Sequence, residues 1–142
     1  VGADLFRRLG MEVDYRVSDW GTLVQRRASR EPPDRGGWNM FHTTWNGLDA
    51  INPGVMTYLR ANGPSAWFGW PDVPKLEALR QSWFDAPDLE AQKRIAADIQ
   101  REVLGSAPYL PTGQYFASTA YRRTITEPIS EVYAFWGVRP AA

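Results

Sequence analysis

Residues 11 to 18 alternate without a break, with Met11, Val13, Tyr15 and Val17 on one side of the chain and Glu12, Asp14, Arg16 and Ser18 on the other. A period of two is the pattern of a half-buried β-strand, because successive strand side chains point to opposite faces. The pattern changes on both flanks. Before it, GADLFRRLG puts Leu5, Phe6 and Leu9 on one helical face, and Gly10 can take the left-handed position that closes a helix. After it, Ser18 or Asp19 can cap a helix whose apolar residues Trp20, Leu23, Val24 and Ala28 fall at helical spacing. The order helix, strand, helix predicts an α/β arrangement.

The breaker cluster EPPDRGG at 31 to 37 predicts a loop, and WNMFHTTW at 38 to 45, rich in aromatic and β-branched residues, predicts a second strand. Asn52-Pro53 reads as an N-cap and first helical residue, opening a short helix to about Arg60. Residues 61 to 74, ANGPSAWFGWPDVP, hold too many rings for a disordered linker and predict a structured loop. Two helices follow. The first runs from about Pro74 to Phe84 with Leu76, Leu79 and Trp83 on one face, and the second is capped by Asp88, carries Ile95, Ala96, Ile99 and Val103 on one face and stops at Gly105. Tyr109 to Tyr121 is extended in character but broken by Pro111 and Gly113, and the tail carries a late aromatic cluster of Tyr133, Phe135 and Trp136.

Charge and rare residues remove several functional classes. Sixteen Lys and Arg balance sixteen Asp and Glu, so the basic excess that marks nucleic-acid binding is absent. No stretch approaches the roughly 18 uninterrupted apolar residues of a transmembrane helix. With no cysteine there is no disulfide framework, thiolate zinc site or thiol nucleophile. The single histidine, His42, makes a Ser-His-Asp triad or a multi-histidine metal site hard to assemble, and no metal is expected. Walker, Rossmann, zincin and nucleophile-elbow patterns are absent. Asp85 and Asp88 flank a proline, but nothing selects them as an acid-base pair, and helix capping explains at least Asp88. The chain opens on Val1-Gly2 with no signal-type n-region or h-region, which predicts a mature or excised piece.

Seven tryptophans in 142 residues are a surplus. Trp45, Trp67 and Trp70 sit in or beside loop segments, where a large ring either pins the loop or lines a ligand surface. For Trp20, Trp38 and Trp83, inside regular elements, packing is the simpler role. The run Trp67-Phe68-Gly69-Trp70 between Pro64 and Pro71 could stack on a ligand or plug the loop onto the body. Asp49, after the second expected strand, could hold a cationic group or form a turn through an Asx hydrogen bond.

Taken together, LGMEVDYRVSDWGTLVQRRAS, GWNMFHTTWNGLDAINP and VPKLEALRQSWFDAPDLEAQKRIAADIQREVLGSAPYLPTGQYF, with the aromatic tail, resemble the C-terminal part of the family 5 extracellular solute-binding proteins of bacterial ABC transporters, which include peptide, nickel and opine binders. The resemblance covers nearly the whole chain in order. It implies the C-terminal lobe of a type II periplasmic binding protein-like fold, a small mixed sheet flanked by helices over residues 1 to 142, with about 109 to 142 running back toward a first lobe. It also implies a non-enzymatic, cofactor-free component of an importer, periplasmic or extracellular and membrane-associated, that takes a peptide-like or other small solute from an interlobe cleft to the permease subunits. The competing readings are a carboxylate-dependent hydrolase with an aromatic-lined cleft and a structural interaction domain. In the family an acidic residue in a G-W-x-G-D loop often anchors a ligand ammonium. Here Trp45-Asn46-Gly47-Leu48-Asp49 sets the carboxylate one position late.

Strand ends and the loops after them are where α/β folds place ligands. The expected ligand-binding residues are therefore Thr44, Trp45, Asn46 and Asp49, with Trp67 and Phe68 from the later loop. The family's strand before the helix entered at Gly2 is lacking, so the isolated chain is expected to expose a sheet edge and to self-associate through it.

Overall fold

Four α-helices and four short 3-10 turns form in the computed structural model, which describes residues 2–118, 120–126 and 135–141. Tyr133 of the expected tail cluster lies outside the described residues. The chain divides into two units, Val1–Thr44 and Trp45–Ala142. No helix among the described residues is long and apolar enough to cross a membrane.

In the first unit, α1 (Gly2–Arg8) ends as its sequence predicts. Gly10 takes φ +83°, its amide donates to the Arg7 carbonyl at 3.0 Å, and the Met11 amide reaches back to the Phe6 carbonyl at 3.0 Å. These are the two bonds of a Schellman closure, which uses up carbonyls the helix cannot satisfy itself. Asp19 caps α2 (Trp20–Arg27), accepting from the Thr22 amide at 3.0 Å and the Thr22 hydroxyl at 2.7 Å. The loop after α2 is tied back to it: the Arg26 guanidinium donates to the Gly37 carbonyl at 2.7 Å, and the Trp38 indole donates to the Arg27 carbonyl at 3.1 Å. Gly37 is obligatory there, since a Cβ would stand 1.6 Å from the Glu31 carbonyl oxygen.

The expected mixed sheet does not form. Among the described residues there is no strand, and only two isolated bridges occur, Asn62 with Asp72 and Ile125 with Pro140. The alternating segment 11 to 18 and the aromatic segment 38 to 45 carry no ladder, which corrects the α/β expectation to a helical one. The physical reason lies in what alternation encodes. It fits a chain to a pleated, half-covered surface but cannot supply the neighbouring backbone that makes a ladder. Val17 accordingly stands 82% exposed, and Met11 and Tyr15 are exposed as well. With no sheet among the described residues there is no sheet edge among them, so the self-association expected through one loses its basis.

The second unit is organised by α3 (Pro74–Phe84) and α4 (Leu89–Ser106), which pack against each other. Leu76, Ile99 and Val103 from the two helices meet Leu59 and Ala61 from the preceding loop in a buried cluster, with Leu79, Trp83 and Ile95 packed on it. Asp88 caps α4 by accepting from the Ala91 amide at 2.7 Å. The helix runs past Gly105 and turns at Ala107, at φ +49°, because Pro108 cannot extend it. The helix expected from Asn52 to Arg60 is replaced by a turn and a 3-10 segment, Thr57–Leu59. Asn52 Oδ1 accepts from the Gly54 and Val55 amides at 2.9 and 3.2 Å, a local side-chain bond that competes with helix.

The loop from 61 to 73 is closed by backbone bonds from Gly63 to Pro71 at 2.9 Å and from Val73 to Ala61 at 2.8 Å. Glu77 of α3 fastens it from below. Its Oε1 accepts from the Ala61 amide at 2.7 Å, and both its oxygens lie 3.2 Å from Arg80 Nη1.

Leu76 is fully buried at the centre of this cluster. Replacement by alanine should lower unfolding free energy by about 2 to 5 kcal/mol, whereas Asp88→Ala should cost about 1 kcal/mol. Urea unfolding followed by helical circular dichroism measures both. A Leu76 loss no larger than the Asp88 loss would remove Leu76 from the core.

Candidate functional site

Five aromatic rings of the second unit form a continuous chain of contacts. Tyr109 meets Tyr58 edge-on at 5.0 Å between centroids, Tyr58 meets Trp45 at 4.7 Å, Trp45 meets Trp67 at 5.5 Å, and Trp67 meets Phe68 at 5.2 Å. The first contact is edge-on and the other three are tilted, and none is the face-to-face sandwich that the ring quadrupole disfavours.

Each ring is held by its own backbone. Tyr58 rides on the 3-10 turn Thr57–Leu59, whose next residue, Leu59, is locked in the core. Tyr109 follows the end of α4 and packs on the same core. Trp67 and Phe68 occupy a tight turn closed by the Trp70 amide on the Trp67 carbonyl at 2.8 Å, with Gly69 at φ +101° and Trp70 at φ +48°. A non-glycine residue in the left-handed region costs free energy, so the surroundings of the Trp70 ring must hold the turn. Trp45, 40% exposed, presents the most open face of the chain.

The charge of one carboxylate, Asp49, reaches the rings. Burial pushes the Tyr58 phenol above its ordinary value, and the neighbouring Tyr109 and then the charge on Asp49 push it the same way. Burial alone raises Tyr109. Asp49 is exposed on the 3-10 turn Gly47–Ala50 and carries no ion pair among the described residues. The turn-forming role belongs instead to Asn46, whose side-chain oxygen takes the Leu48 amide at 3.5 Å. Aromatic faces next to an unpaired carboxylate can receive an apolar or planar group and, beside it, a positive one.

Of the residues expected at the site, the structure brings Trp45, Trp67 and Phe68 into one cluster, with Asn46 and Asp49 on the turn that follows Trp45. Thr44 is exposed at the end of the first unit. Tyr58 and Tyr109 were missed. They lie 13 and 64 positions beyond Trp45, and only the docking of the turn and of the α4 terminus onto one core brings them together. His42 is exposed, and among the described residues no three His, Asp or Glu side chains gather as a metal site. Asp85 accepts from Gln81 at 3.2 Å while Asp88 caps α4, so both carboxylates have structural work.

No family model matches the chain. Over 126 residues, 89% of its length, the chain is 36% identical to a Sinorhizobium fredii (strain NBRC 101917 / NGR234) protein described as a probable peptide ABC transporter periplasmic-binding protein, y4tO. It spans 24% of that relative's length.

The half-buried phenols yield a pH prediction. A folded-state value raised above the ordinary 10.0 means the fold favours the neutral ring. That stability is fully present below about pH 10 and is lost as the pH rises through the raised values. The urea midpoint should fall as the pH rises above about 10, and the double variant Tyr58→Phe, Tyr109→Phe should flatten the fall. An equally steep fall in the double variant would place the responsible groups elsewhere.

Proposed function

We propose, from the similarity to a probable peptide ABC transporter periplasmic-binding protein, that the chain forms part of a solute-capturing surface in such a protein. The observation that carries the reading is the chain of rings from Tyr109 to Phe68, with Asp49, which has no ion pair among the described residues, on the turn that follows Trp45. Trp45, Trp67 and Phe68, with Thr44, Asn46 and Asp49 from the preceding segment, contact the solute, and Tyr58 and Tyr109 support them. The rings bury apolar or planar parts of a peptide-like solute, and Asp49 holds a positive group. The polypeptide is a fragment of the C-terminal lobe of a two-lobed binder. It works in the periplasm and hands its solute to the permease without chemical change.

Aromatic side chains suit this work because they offer large contact areas with few rotatable bonds, so ordering them costs little entropy. Native mass spectrometry of the full-length protein should find a retained solute, intact on release. Adding a mixture of short peptides should alter tryptophan emission, and Trp67→Phe should diminish the change. An undiminished response with lowered stability would make Trp67 a packing plug. Asp49→Asn should weaken a cationic peptide by about 2 kcal/mol or more if the pair is desolvated, and unchanged affinity would remove Asp49 from the site. Solute consumed on incubation would point to a hydrolase instead.

A further inference from the structure

A cleft in the same unit, about 260 Å³, is lined by Gly54, Arg60, Glu77, Arg80, Gln81 and Phe84. Its charges do not balance. Glu77 is the one carboxylate facing two guanidinium groups, and its oxygens are fully engaged: Oε1 by the Ala61 amide and Arg80, Oε2 by Arg80 and, at 3.5 Å, by Arg60 Nε. A carboxylate offers about four acceptor positions, so Glu77 has nothing left to give.

Arg80 is only 7% exposed. Its Nε donates to the Pro53 carbonyl at 3.4 Å and its Nη1 to Glu77, while Nη2 takes no partner among the described residues. Burial lowers its proton affinity, and against the help of Glu77 the charge of Arg60 lowers it further. Arg60 touches Glu77 through Nε, and its side chain is 44% exposed. Two guanidinium groups with donors to spare therefore share one saturated carboxylate in a partly desolvated recess.

We propose that this cleft binds a small oxyanion, a carboxylate or a phosphate, between the spare guanidinium donors of Arg60 and Arg80. Planar guanidinium forks match such anions in charge and shape, and the match strengthens away from bulk water. The wall opposite is closely built: a Cβ on Gly54 would lie 3.0 Å from both the Phe84 ring and Asn52 Oδ1. The volume falls short of the roughly 300 to 1,000 Å³ of drug-sized pockets, which favours a small anion over a peptide.

Inorganic phosphate and acetate are the probes, each titrated into the full-length protein against chloride at equal ionic strength. One or both should raise the melting temperature saturably, and the one that half-saturates at the lower concentration assigns the ligand as phosphate or carboxylate. Arg60→Gln, a change at a half-exposed side chain, should weaken the apparent affinity at least tenfold, and Arg60→Lys should fall between the two. A response to neither anion beyond that to chloride, or an Arg60→Gln response equal to that of the unaltered protein, would overturn the proposal. The readout does not involve the aromatic cluster, so a failed peptide titration and a failed anion titration are separate outcomes.

Discussion

Arg80 is a charged side chain taken almost wholly out of water, and the second unit is arranged around keeping it paired. Desolvating a guanidinium is costly, and removing the partner of a buried ion typically costs about 3 to 5 kcal/mol. Glu77, one turn back on α3, supplies that partner and simultaneously accepts the Ala61 amide. One carboxylate thereby joins the helix to the loop that enters the core, and Arg80 extends the link to the Pro53 carbonyl. The surface pairs Arg8 with Asp4, Lys93 with Glu90, and Arg101 with Asp98 have both members well exposed, where ion pairs contribute about 0 to 1 kcal/mol. Position in the core, not the number of ion pairs, sets which of them matters.

The ring cluster depends on that anchoring. Tyr58 immediately precedes Leu59, and Leu59 and Ala61 are both buried in the core where the chain enters the loop that carries Trp67 and Phe68. The loop itself has few regular bonds, yet its two ends are stitched at Gly63 with Pro71 and at Ala61 with Val73. A ligand surface made of loop residues is useful only if the loop is already ordered, because ordering each rotamer-rich side chain on binding costs about 0.5 to 1.5 kcal/mol. Here the stitching and the core contacts meet that cost during folding.

The parts of the sequence that announced themselves were those whose structure is local. The face of Leu76, Leu79 and Trp83, the caps at Asp19 and Asp88, and the left-handed Gly10 all act within a few residues, and all stand where periodicity and capping chemistry put them. The segments 11 to 18 and 38 to 45 carry an equally clear pattern, but a strand needs a partner and the pattern names none. Likewise the sequence neighbourhood of Trp45 pointed to Asn46 and Asp49, whereas Tyr109 reaches the site only through the fold. Asp49 and Asn46 show a finer limit: both are Asx residues in one turn, and only geometry assigns the cap to Asn46 and leaves the Asp49 carboxylate without an ion pair among the described residues.

Four consecutive residues bind these features together. A 3-10 turn advances about 120° per residue, so neighbours along it diverge in direction instead of sharing a face. Tyr58 therefore joins the rings, Leu59 enters the core, and Arg60, where the turn ends, faces Glu77 at the charged cleft. Ala61 then gives its amide to the same Glu77 carboxylate. A regular α-helix from Asn52 onward would have spaced these residues by about 100° and continued through Arg60, leaving no chain to enter the loop at Ala61. The Asn52 side chain, by capturing the Gly54 and Val55 amides, diverts the backbone from that helix and so sets the register that the rings, the core and the cleft all use.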